Sequence, residues 1–130
     1  MKASAMKNTT HPIRKIGGLL LLATLLSSAQ VHASEMKNVM KDMKAAMRGA
    51  MNSTSIAEFT QYSTRLQNDA ITADKLQYRR NPAVYHKGLQ QMQTEMDAVN
   101  QAVRANDLNA AKNALQKINS TKKQYHHLLG

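Results

Sequence analysis

The chain has 130 residues, no cysteine and no tryptophan, and carries 18 basic against 8 acidic residues for a formal net charge of +10. Without cysteine there are no disulfides and no thiolate metal sites. The lysines and arginines are scattered among Gln, Asn and Asp with no stacking aromatics beside them, which argues against a nucleic-acid partner.

Residues 1–33 read as a secretory signal peptide. Lys2, Lys7, Arg14 and Lys15 form a positive start, Ile16 to Leu26 is a short apolar run, and Val31-His32-Ala33 places small or aliphatic residues at −3 and −1 of a cleavage site. The apolar run is about half of the roughly 20 residues that a membrane span needs, so cleavage is expected rather than anchoring. Cleavage after Ala33 leaves Ser34 to Gly130, one small domain with 14 basic and 8 acidic residues and a net charge of +6. No later apolar run approaches membrane length, and no membrane insertion is expected after cleavage.

Four segments then show helical spacing. The first runs from about Glu35 to Met51, with Met36, Met40, Met43, Met47 and Ala50 at alternating gaps of four and three, and Asn52-Ser53-Thr54 ends it. The second opens with a capping box, Ser55-Ile56-Ala57-Glu58. Phe59, Tyr62, Leu66 and Ala70 or Ala73 form its inner face, and a charged link follows from Asp74 to Arg80. The third begins with Asn81 as N-cap and Pro82 at the first helical position. Tyr85, Leu89, Met92, Met96, Val99 and Val103 line one face of it. After the turn Ala105-Asn106-Asp107, the fourth carries Leu108, Ala111, Leu115, Ile118, Tyr125 and Leu129. Long helices joined by short links pack as antiparallel neighbours, so the expected fold is all-α: an up-down-up-down antiparallel four-helix bundle.

That topology brings the start of the first helix, the end of the fourth and the start of the third to one end. At about 1.5 Å per residue, Met40 lies about 7 Å in from the start of its helix, His126 about 6 Å from the chain terminus, and Tyr85 and Leu89 about 4 and 10 Å along the third. His126 shares a face with Leu115 and Ile118 and is expected to point inward, with His127 about 100° away facing solvent. A thioether and an imidazole with an aromatic and a leucine beside them suit an iron porphyrin, and a covalent attachment is excluded because Cys-x-x-Cys-His is absent. The same residues have plainer readings: a methionine stripe is ordinary core, and a histidine near a helix C-terminus is ordinary surface.

At these residues the chain resembles the soluble periplasmic cytochrome b562 family, over essentially the whole segment after the cut. Met40 is the seventh residue after it, where the family carries its Met ligand. Thr121-Lys122-Lys123-Gln124-Tyr125-His126 is similar to the family's Thr-basic-x-x-Tyr-His ending, which implies His126 as the second ligand. Tyr85-His86-Lys87-Gly88-Leu89 resembles its aromatic-x-x-Gly-Phe segment, which implies that Tyr85 and Leu89 line the cofactor. The resemblance singles out Met40 from the rest of the stripe. It implies a monomeric periplasmic b-type cytochrome that holds one non-covalent haem b between Met40 and His126 and passes single electrons to a redox partner protein. The chain departs from the family where Leu89 replaces an aromatic, where the Asp74–Arg80 link is shorter and lacks prolines, and where the chain stops three residues after His127.

Two other functions fit the residues. One is a haem-free periplasmic helical adaptor or stress protein. The other is a copper binder, since seven methionines and three histidines after the cut offer soft ligands for Cu(I). No enzyme is expected: no Ser/His/Asp set, paired carboxylates, phosphate loop, His-x-x-x-His or Glu-x-x-His pattern is present.

Overall fold

The structure, a computed structural model, describes the backbone of residues 17–130 and the side chains from Ala33 onward. Four helices follow one another, α1 (Gly17–Asn52), α2 (Ile56–Lys75), α3 (Pro82–Arg104) and α4 (Leu108–Leu129), with no strand among the described residues. Two compact units divide the chain, residues 1–31 and residues 32–130. The second is the all-α, up-down-up-down antiparallel four-helix bundle, as links of three to six residues demand.

The first helix departs from expectation. It begins at Gly17 rather than near Glu35. No proline interrupts residues 17–52, so the backbone stays helical through the expected cut. The charged start of the expected signal peptide, Lys2 to Lys15, lies outside the described residues. Among the described residues no helix is long and apolar enough to cross a membrane.

The core follows the helical stripes. From α1 it takes Met43, Ala46, Met47 and Ala50, and from α2 Phe59, Leu66, Ala70 and Ala73. Tyr85, Leu89, Met92, Met96 and Val99 come from α3, and Ala111, Leu115 and Ile118 from α4. Each large apolar side chain so buried stabilises the fold by about 1.5–3 kcal/mol relative to exposure. Val103, expected inside, is only partly buried, and the polar Ser63 is buried on α2 instead. Ser63 satisfies its hydroxyl by donating to the Thr60 carbonyl at 3.2 Å, which makes a polar core residue tolerable. Asp42 and Arg65 pair across α1 and α2. Both are exposed, so the pair fixes register more than it stabilises.

The helix starts show how local chemistry sets the boundaries. Ser55 caps α2 by accepting the Glu58 N–H at 3.1 Å, but the Glu58 carboxylate reaches back to the Thr54 N–H at 3.1 Å, one residue earlier than the usual reciprocal bond. Asn81 precedes Pro82 as expected, yet it does not cap with its side chain. Its backbone is left-handed, φ 46° and ψ 61°, a conformation that asparagine tolerates better than most residues. Its carbonyl accepts from Val84 and Tyr85 instead. Asp107, placed in the turn by its sequence, is the working cap of α4 and accepts the Ala110 N–H at 2.9 Å.

Candidate functional site

The end of the bundle at which α2 finishes and α3 starts holds an apolar cleft of about 190 Å³. Residues from α1, the link after α2, α3 and α4 meet there. The structure brings all four expected site residues, Met40, Tyr85, Leu89 and His126, onto its lining. They sit at different depths. Tyr85 and Leu89 are buried, 4% and 5% exposed, Met40 is half-buried, and His126 is exposed.

His126 lines the cleft but is exposed, at its mouth rather than in its depth. The inner line of α4 runs from Leu115 and Ile118 through half-buried Lys122 and Tyr125 to Leu129. His126 lies within about 20° of Leu115 and 40° of Lys122 in helical phase, so it keeps to the cleft side of α4, and its exposure comes from its place in the last turn, at the mouth of the cleft. His127 is exposed and does not line it.

Tyr85 is the most constrained group in the wall. Its hydroxyl donates to the Ala73 carbonyl at 2.5 Å, and Met36 Sδ lies 3.2 Å from the same oxygen. The Tyr78 ring stacks on it at 4.9 Å between centroids. Burial, with Asp74 and Tyr78 adding to it, pushes the Tyr85 phenol up to about 12, so it is a neutral donor throughout the physiological range. Behind it His86 Nδ1 lies 2.9 Å from Asp74, joining the first turn of α3 to the end of α2.

The seam between α3 and α4 beside it depends on a missing side chain. A Cβ on Gly88 would lie 2.7 Å from the Tyr125 ring atoms Cγ and Cδ1, well inside the 3.5–4.0 Å optimum for carbon contacts. Glycine thus lets the Tyr125 ring lie flat on α3, and α3 and α4 are the most closely packed pair of helices. The Tyr125 hydroxyl donates to Gln91 Oε1 at 3.0 Å. Gln91 in turn donates to Glu95 Oε1 at 3.2 Å, which also accepts from Thr121 at 2.7 Å. Lys122 borders the same cleft. Burial lowers its pKa, and the neighbouring charges of Lys44 and Lys123 lower it further.

The sequence reading missed several lining residues. Tyr78 was assigned to a charged link, and only its stacking on Tyr85 reveals it. Met36, Met43 and Met92 were assigned to the core stripes; periodicity carries no signal that separates a stripe's buried middle from its open end. Gly88 and Tyr125 stood inside the motifs but without a role.

The lining fits a flat apolar ligand with a metal at its centre. It offers the thioethers of Met36, Met40 and Met43 from α1 and Met92 from α3, the imidazole of His126 from α4, aromatic and aliphatic walls, and an open mouth. Among the described residues no group of three or more His, Asp or Glu could hold a metal ion. The model of the family described as cytochrome b562 matches residues 35–129, the whole of the bundle. No curated protein matches the chain.

Proposed function

The chain belongs to the cytochrome b562 family, and from that premise we propose that it is a b-type cytochrome that holds one haem b non-covalently, with Met40 and His126 as axial ligands, and transfers single electrons. The observation that carries the reading is the meeting of Met40 from α1 and His126 from α4 on one cleft walled by Tyr85 and Leu89. Haem bound there would supply a one-electron iron couple. The Met40 thioether, a soft ligand, favours the reduced metal, and a Met/His pair raises the reduction potential. With Met40 and His126 both holding the iron, no site on it would stay open for oxygen or substrate, which suits electron carriage rather than catalysis. Tyr85, Leu89 and Tyr125 keep water from the buried side, and the exposed position of His126 leaves one edge of the site open to a partner.

The reading assigns the carrier to the periplasm as a monomer, after loss of residues 1–33, working with a redox partner protein. Its support is the leader-like composition of that segment and the family match. An absorption spectrum of the purified protein, oxidised and then reduced, tests the assignment. A strong Soret band with a low-spin reduced spectrum is expected, and acidified acetone should extract the haem. A protein that shows no Soret band even after haemin is added refutes it.

A second reading has its own support. Met36, Met40, Met43 and Met92 all border the cleft with His126, a donor set suited to Cu(I). Metal analysis after copper exposure of haem-free protein separates the two.

A further inference from the structure

The positive charge of the bundle is not spread evenly, and its distribution bears on what docks at the cleft. The half of the bundle that holds the cleft comprises residues 33–44, 66–93 and 119–130. It carries nine of the fourteen basic residues and four of the eight acidic ones, a net +5, while the far half has five and four, a net +1. Eight of those nine cations are exposed; Lys122, in the cleft wall, is the half-buried one. Three of the four acids at this end are engaged or turned in. Asp42 pairs with Arg65, Asp74 with His86, and one oxygen of Asp69 is buried without a partner. At the mouth, Arg80 reaches across to the Gly130 carbonyl at 3.3 Å, so the basic link after α2 and the end of α4 frame the same opening. Lys44 and Lys123 lie close enough to disfavour the charge on Lys122, which marks this end as a field of like charges and not a set of isolated ones.

We propose that the cleft end is the docking surface for an acidic protein partner, one that presents carboxylates around its own redox centre. The identity of the cargo rests on the haem reading above; the charge complementarity does not. A cleft ringed by one sign of charge concentrates oppositely charged partners and accelerates encounter by about 10- to 1,000-fold at low salt, an advantage that salt removes. The exposed His126 puts the open edge of the site inside this ring. Around the cleft the exposed charges are mostly basic, the exposed large apolar side chains among the described residues are Ile71 and Leu128 alone, and no helix among the described residues is of membrane length, which favours a protein over a lipid surface.

The test uses two probes. In the first, the reduced haem-loaded protein is mixed with the anionic oxidant hexacyanoferrate(III) or the cationic hexaammineruthenium(III), at low and high salt. The anionic rate should fall about 10-fold or more as salt rises, and the cationic rate should not fall. Lys87→Glu with Lys123→Glu should flatten that salt dependence. Arg104→Glu with Lys112→Glu changes net charge equally at the far end and should leave most of it intact. Equal effects of the two double variants would mean that only net charge matters and would overturn the proposal. In the second, deca-aspartate is titrated into the isotopically labelled protein, with or without haem, and amide shifts are mapped. Shifts centred on residues 75–88 and 119–130 support the proposal; shifts spread over both ends refute it. This arm reads out even if no haem binds, so failure of the haem reading and failure of the docking surface are distinguishable. Binding to phosphatidylglycerol vesicles at a salt concentration that abolishes deca-aspartate binding would assign the surface to a membrane and overturn the protein partner.

Discussion

Replacing Tyr85 with phenylalanine should change stability in opposite directions at neutral and at high pH. At neutral pH the variant loses one buried hydrogen bond, from the hydroxyl to the Ala73 carbonyl at 2.5 Å. That carbonyl is not orphaned, because it also accepts the Leu76 N–H at 3.1 Å, so the loss is about 1 kcal/mol. At high pH the balance reverses. The folded phenol titrates near 12 against 10.0 for an ordinary tyrosine, with burial the main cause. A pKa raised by folding contributes stability that is present in full below pH 10 and is lost as the pH rises through 12. Two pKa units correspond to about 3 kcal/mol in all, most of it gone by pH 12. The phenylalanine variant has nothing to ionise at this position. It should therefore be about 1 kcal/mol less stable than the parent at pH 7 and about 1 kcal/mol more stable at pH 12, with the two curves crossing at roughly pH 11. Urea unfolding of the haem-free proteins, followed by far-ultraviolet circular dichroism at pH 7 to 12, measures the difference directly. Parallel curves that never cross would show that Tyr85 ionises as freely folded as unfolded, and the account of a dry, constrained wall would be wrong.

Other substitutions divide the roles at the cleft. Met40→Ala should remove axial sulfur, lower the reduction potential and shift the iron toward high spin, whereas Met43→Ala, at a position 4% exposed, should lower stability by about 2–5 kcal/mol and keep the spectrum. Loss of the sulfur signature in Met43→Ala alone would put the ligand one step farther along the stripe. His126→Ala should abolish the low-spin spectrum and His127→Ala should leave it, and the reverse spectra would mean that the last turn of α4 is wound in a different phase. Gly88→Ala gains about 1 kcal/mol of helix propensity but overpacks the Tyr125 ring by about 1–3 kcal/mol, a net loss of roughly 0–2 kcal/mol. A thermal melt that instead shows clear stabilisation would mean that Tyr125 is not seated on α3.

The bundle was legible because its helices are amphipathic and its links are short. The stripe of α3 from Tyr85 to Val99 named its part of the core residue for residue, and the stripe of α1 named Met43, Met47 and Ala50. What spacing could not show was how depth varies along a stripe. Met36, Met40 and Met43 belong to one periodic line, yet only Met43 is buried, because the line runs out of the core at the cleft. His126 illustrates a finer limit. Its phase follows Leu115 to within about 20°, but the last turn of α4 lies at the open mouth, so the same face that is buried at Leu115 is exposed at His126. Tyr78 and the left-handed Asn81 were hidden for another reason: each owes its role to contacts or backbone conformation created by the fold, and neither leaves a pattern in the chain. The family resemblance, in contrast, rested on two short motifs and one position, and the match over residues 35–129 covers all three.

The two sides of the cleft differ mechanically. One jaw is fixed: Gly88 admits the Tyr125 ring against the α3 backbone, and the Tyr125–Gln91–Glu95–Thr121 chain pins that ring from its far end. The other jaw is soft, because α1 faces the cleft with methionines, whose three rotatable bonds and polarisable sulfurs take up irregular gaps. A clamp with one rigid and one compliant face grips objects of slightly different thickness without reshaping its frame. Small changes in the position of a bound group should therefore be absorbed by rotamers on α1, while the histidine-bearing α4 and the aromatic wall of α3 keep their places.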